Sequence, residues 1–277
     1  MNKKSLIYKW SFTIIMLLIG IGGIFPFIFM ISSTFKVSGE VLKVPFHILP
    51  EHFTLDNIKG LFASEYYNFI RWYWNTIFVT GMILLIKVFF ISYTAYGFSK
   101  IKFAGRDIIF LILLAALMIP SDIMIMPRYM IFKKLHILNT PWALILPATV
   151  DVYFVFLLRQ AFIAIPASLS EAARIDGCGH GRIYTRIILP LAKPAIATML
   201  LFSFVWAWND YMGPYLYISD LNKQMLSVGI KLFSSGQVID YGLQMAGATL
   251  VLLPIIIVFF LTQKVFVEGV STSGVKG

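Results

Sequence analysis

The chain has 277 residues, of which 59% are hydrophobic and only 13% charged, with a mean hydropathy of +0.83. A soluble domain carries about 25% charged residues, so this balance excludes an ordinary water-soluble core and indicates an integral membrane protein. The net charge of +10 does not point to nucleic acid, because the basic residues flank apolar runs instead of forming one patch.

No charge falls between Lys9 and Lys36. A span needs about 20 apolar residues, so the first transmembrane helix is read over 10–33. The run is too long for a signal peptide, and no small-x-small cleavage site follows it. Residues 34–74 read as a long outer loop with Pro45 and Pro50, closing on Arg71-Trp72-Tyr73-Trp74 as an interfacial aromatic belt. Further spans are expected over 75–98, 107–125, 142–163, 195–217 and 244–266. Residues 126–139, with Arg128, Lys133 and Lys134, read as an amphipathic segment at the outer face. Pro26, Pro120, Pro147 and Pro254 fall within or at the ends of spans, where they kink a helix or aid packing.

The predicted fold class is therefore an all-α integral membrane protein, one domain over 1–277 with six transmembrane helices. Six spans put both termini on one side. Lys and Arg favour the segments on the N-terminal side, although the opposite loops are longer. The positive-inside rule then makes both termini and the 166–190 loop cytoplasmic.

Lys87 falls about midway through the second span and Asp151 inside the fourth. Such groups cost roughly 2.5–3.5 kcal/mol on insertion scales and usually face protein or water. Three readings stay open: a pair with each other, a polar translocation path, or snorkelling towards an interface. Trp206, Trp208, Asn209 and Tyr211, with Tyr215 and Tyr217, lie near the outer end of the fifth span. They fit an aromatic belt, or a surface on which sugar rings stack.

Catalytic chemistry is not expected. The single Cys178 excludes an internal disulfide, and His47, His52, His136 and His180 have no metal-ligand spacing. Gly269 to Lys276 only approaches a phosphate-binding loop: the lysine is one place late and no Ser or Thr follows it.

The most informative stretch is Glu171-Ala172-Ala173, then Asp176-Gly177, then Ile187-x-Leu189-Pro190. Ser168 with Glu171 reads as a capping box, with the acid in the first turn of a helix. Gly177, Gly179 and Gly181 can take positive φ and turn the chain. The spaced pattern, lying between two spans, resembles the cytoplasmic signature loop of the permease subunits of ABC importers, in the form found in carbohydrate importers. The resemblance extends along nearly the whole chain, through Ser32-Ser33-Thr34-Phe35-Lys36, Asn75-Thr76, Ala95-Tyr96-Gly97-Phe98, Trp206-x-Trp208-Asn209-Asp210 and the tail from Phe266 to Gly277. Cys178 departs from it, since alanine is common there.

The resemblance implies a type I importer permease fold in which residues 166–190 form a coupling loop of helix, glycine turn and helix. It implies an ATPase-coupling role for Glu171, Ala172, Ala173, Asp176, Gly177, Leu189 and Pro190. It implies a homologous second permease, two ATPase subunits that carry ATP and Mg, and an extracellular or periplasmic sugar-binding protein, with no cofactor in this chain. The location implied is a bacterial plasma membrane and the cargo a sugar, with an oligosaccharide expected. Two other readings stay open: a self-contained ion-coupled carrier, which typically shows charges near the midplane, and a permease for a non-sugar solute.

Overall fold

The structure is a computed structural model that describes residues 3–63, 68–233 and 240–274. Its regular elements are all helical. They are α1 (Lys3–Thr34), α2 (Asp56–Ala63), α3 (Phe69–Lys100), α4 (Arg106–Ala115), α5 (Ile125–Lys134), α6 (Trp142–Thr149) and α7 (Val152–Ala164). Then follow α8 (Ala167–Ile175), α9 (His180–Ile183), α10 (Leu189–Leu191), α11 (Lys193–Asn209), α12 (Met212–Tyr217), α13 (Leu226–Leu232) and α14 (Tyr241–Gly274).

Among the described residues, three helices are long and apolar enough to cross a membrane: Tyr8–Thr34, Phe69–Lys100 and Tyr241–Gln263. Three bent pairs raise the number to six if each pair is one span. Within the expected span 107–125 the helix runs to Met118 and bends by 91° before Ser121, with Pro120 at the break. The pair α6 and α7 bends by 41° at Val150–Asp151, just after Pro147. His180–Leu191 and Lys193–Asn209 meet at 78° around Ala192, flanked by Pro190 and Pro194. A proline lacks the N–H that bonds four residues back and its ring crowds that carbonyl, which accounts for bends at these places. Within the expected span 195–217 the first helix ends at Asn209 and a short one resumes at Met212.

The helices pack as two compact units, Met1–Phe69 with Gly229–Pro254, and Ile70–Val228 with Ile255–Gly277. In the first unit, the last carbonyls of α1 have no intrahelical donors of their own. Asn57 of α2 supplies one, its Nδ2 donating to Thr34 O at 2.9 Å, and it also donates to Lys36 O just beyond the helix at 2.7 Å. The same side chain approaches Gly242 so closely that a Cβ there would stand 2.4 Å from Asn57 Oδ1. Asp240 opens α14 as its cap, Oδ1 accepting from Leu243 N at 2.9 Å. Lys36 is buried, donating to His47 O at 2.6 Å beneath the Phe29 and Phe46 rings. Burial lowers its pKa, against the opposite pull of Glu40.

The second unit is built around α3. Its buried residues include Trp72, Thr76, Val79, Ile83, Lys87, Ile91, Ala95 and Phe98, a repeat of three to four residues that is one face of an α-helix. The C-terminal half of this face packs on Phe154, Leu158 and Phe162 of α7 and on Ile183, Tyr184 and Ile188. The N-terminal half packs on Ala143, Leu144, Ile145, Tyr217 and Met225.

Candidate functional site

Residues 166–190 form a helix, a glycine turn and a second helical run. Pro166, in extended backbone, stands at the N-cap of α8, and no side chain caps the helix. The capping box expected from Ser168 and Glu171 is therefore absent. The helix starts two residues earlier than that pattern requires, so Ser168 is already inside it and Glu171 lies beyond the first turn.

The far end of α8 is closed tightly. Gly177 has φ +79°, Gly177 N donates to Arg174 O at 3.0 Å, and Cys178 N donates to Ala173 O at 2.8 Å. These two bonds are the Schellman arrangement, which satisfies carbonyls left open at a helix end. Only Gly177 of the three loop glycines has positive φ. Gly179 caps α9 in extended backbone and Gly181 is helical.

The loop's other end is also tied down. Lys100 Nζ at the end of α3 donates to Ile165 O, at the elbow between α7 and α8, at 2.7 Å. Beyond α9 the chain makes a π-helical stretch, Tyr184–Ile188. Tyr184 Oη meets Ser92 Oγ of α3 at 2.5 Å in the buried interior. Single turns of π-helix are uncommon and recur at functional positions.

Of the loop residues singled out from the sequence, Glu171, Ala172, Asp176, Gly177 and Pro190 are exposed, Leu189 is half-buried and Ala173 is buried. Ala173 is the one fully buried residue of α8. Sequence reasoning missed two others: Ile175 is 88% exposed and Leu169 is 44% exposed. With Ala172 they recur every three residues, an apolar stripe beside Glu171 that this chain does not cover. A stripe of that kind calls for a partner surface. The signal was available in the spacing of Leu169, Ala172 and Ile175.

A second cluster lies deeper in the same unit. Lys87 Nζ reaches Asp151 Oδ2 at 3.0 Å and Ser203 Oγ at 3.2 Å, and stands 4.8 Å from the centre of the Phe154 ring. The Lys87 side chain is 5% exposed and that of Asp151 20%. The structure thus joins the two intramembrane charges as an ion pair. Asp151 occupies the break between α6 and α7 in extended backbone, and its carboxylate does not cap α7.

The aromatic residues divide. Trp208 is buried, stacked on Phe204 at 5.4 Å. Trp206 is half exposed and lies 5.2 Å from Phe154. Tyr211 stacks on Tyr215 at 5.5 Å, and Asn209 Nδ2 donates back to Val205 O at 2.8 Å. The expected C-terminal matches at 275–277 lie outside the described residues, as do the side chains from 264 onward.

A helix, glycine turn and second helical run between bent spans, with an ion pair in the interior, fits a membrane permease subunit. Residues 87–272 match the family described as "Binding-protein-dependent transport system inner membrane component". The chain is 32% identical to the arabinooligosaccharides transport system permease protein AraQ of Halalkalibacterium halodurans, over 100% of this chain and 99% of that protein. It is 33% identical to the probable starch degradation products transport system permease protein AmyC of Thermoanaerobacterium thermosulfurigenes, over 99% of each. Its fold is similar to a chain in the crystal structure of a bacterial ABC transporter involved in import of the acidic polysaccharide alginate, with a TM-score of 0.85 at 22% identity, over 95% of this chain and 98% of that one. This chain belongs to the family of binding-protein-dependent transport inner-membrane components. It is a multi-pass permease subunit and not a catalytic one, and a self-contained ion-coupled carrier is not a member of that family.

Proposed function

We propose that the chain is one of two permeases in an ATP-driven importer of a sugar, an oligosaccharide, across a bacterial plasma membrane. The relatives named for arabinooligosaccharides and starch products support the cargo class. Both termini and the 166–190 loop face the cytoplasm, where two ATPase subunits holding ATP and Mg dock on α8. A sugar-binding protein delivers cargo from outside to the path formed with the second permease.

The observation that carries this reading is the state of α8. It rests on the fold through Ala173, is closed by the Gly177 turn, and leaves Leu169, Ala172 and Ile175 uncovered beside an exposed Glu171. Glu171 supplies a polar contact to the ATPase, Ala172 permits close approach, and the apolar stripe is desolvated on docking. Ala173 and Gly177 hold the helix to its base, with Asp176 at its end. Leu189 and Pro190 lead into the bend at Ala192. Movement of α8 is passed to α7 through the Ile165 elbow and to α11 through the π-helical stretch. Glu171→Lys is expected to abolish uptake while the protein still inserts and assembles its spans. Normal sugar uptake by that variant would remove the coupling role.

A further inference from the structure

The ion pair has a neighbour that neither the family nor the coupling loop explains. A cavity of about 270 Å³ opens beside it, near the small end of ligand clefts at roughly 300 Å³. Its walls include Lys87 of α3, Pro147 and Asp151 around the α6–α7 break, Ser203 and Trp206 of α11, and Asp210 just beyond it.

Its chemistry is one-sided. Lys87 lines the cavity but is 5% exposed and already bonded to Asp151 and Ser203, so its ammonium offers a visitor little. Asp151 is more open, and its second oxygen, Oδ1, has no hydrogen bond among the described residues. Asp210 adds a second carboxylate to the lining. Trp206, in the same lining, has a half-exposed ring braced by Phe154 at 5.2 Å and Phe202 at 6.1 Å. Carboxylates accept hydrogen bonds from hydroxyls, with charge-assisted strength. A braced indole offers a flat apolar face. Together they suit a ring that is polar at its edge and apolar on its face. An acidic ring would add a third carboxylate to a lining that holds Asp151 and Asp210 against one buried lysine, Lys87, and like charges repel.

We propose that this chain contributes a subsite for an uncharged sugar ring, with Asp151 as hydroxyl acceptor and Trp206 as stacking platform. The proposal rests on the sugar-importer reading and adds the class of sugar. Lys87 positions Asp151, and Ser203 holds Lys87 in turn. The subsite is wired to the coupling loop by the chain itself. α7 begins one residue after Asp151 and runs about 20 Å to the Ile165 elbow, and α11 carries Trp206 about 20 Å from the Ala192 bend, at 1.5 Å per residue.

The test uses the complete transporter in proteoliposomes, with its binding protein in saturating excess. Uptake is measured for arabinotriose, maltotriose and an alginate trisaccharide. The neutral sugar that the wild type imports should show its half-saturating concentration raised roughly ten-fold in Trp206→Ala, on the scale of a lost stacking contact, with Trp206→Phe recovering most of it. Asp151→Asn should weaken neutral uptake and narrow the gap to the alginate trisaccharide. Because that variant strands a buried lysine, the charge swap Lys87→Asp with Asp151→Lys is compared with it. The swap should restore complex yield, keep half-saturation raised and admit the acidic trisaccharide. A swap that restores wild-type uptake makes the pair purely structural and overturns the subsite, as does an unchanged half-saturation in Trp206→Ala. A wild type that prefers the alginate trisaccharide overturns the neutral class alone. A wild type that hydrolyses ATP on receptor docking but imports no saccharide overturns the sugar reading, and the subsite with it.

Discussion

Replacing Gly177 with alanine isolates the backbone conformation that closes α8. Gly177 has φ +79°, and an added Cβ would meet nothing within 4 Å. Steric conflict with neighbours is thereby excluded, and the whole cost is that of an L-residue in the left-handed region, about 1–2 kcal/mol. That shifts the equilibrium between closed and open turn by roughly 5- to 30-fold. The closed turn holds the Cys178 amide on Ala173 O at 2.8 Å and the Gly177 amide on Arg174 O at 3.0 Å. Hydrogen exchange on the assembled transporter should show the peptide covering 173–181 exchanging faster by that factor, while peptides from the middle of α3 keep their protection. Asparagine visits the left-handed region more readily than alanine, so Gly177→Asn should fall between the two, and transport should follow the same order. An alanine variant with wild-type protection at Cys178 would refute the argument that the left-handed turn holds α8 in place.

Two further outcomes are expected. Ile175→Asp replaces a side chain that is 88% exposed in this chain, so the fold should tolerate it. If docking buries Ile175, affinity for the ATPase should fall roughly ten- to hundred-fold, from about 1.5–3 kcal/mol of lost burial, read by titrating ATPase onto the purified permease pair. Gly242→Ala places a Cβ 2.4 Å from Asn57 Oδ1 and displaces the amide that satisfies the end of α1, so thermal unfolding should show a loss of about 1–3 kcal/mol; a variant with wild-type stability would show that Asn57 can move aside.

The helical class was legible because 10–33 carries no charge and 75–98 only Lys87, and the period of α3 assigns its buried face directly. The breaks were harder to read. Pro147 marks the region of the α6–α7 bend, yet the break itself falls at Val150–Asp151, where packing around Lys87 draws the Asp151 carboxylate away from the helix it would otherwise cap. Lys87, Asp151 and Ser203 are separated by 64 and 116 residues from the lysine outward, so no local pattern joins them, and the pair was one of three open readings. Around α8 the local pattern misled. A Ser-x-x-Glu sequence satisfies the capping-box rule, but Pro166 at the N-cap starts the helix two residues sooner. The Lys100 tie to Ile165 O joins the end of one span to the elbow after another and leaves no trace in sequence spacing.

As half of a gate whose energy comes from separate ATPase chains, this protein should be found in the membrane only with those chains. The most direct test is a tagged purification from native membranes in mild detergent, with each co-purifying chain identified and counted by mass spectrometry. The account predicts one homologous permease and two ATPase chains for each copy of this one, with the ATPase lost in Glu171→Lys or Ile175→Asp. A complex of this chain alone that still transports after reconstitution without any ATPase would contradict it.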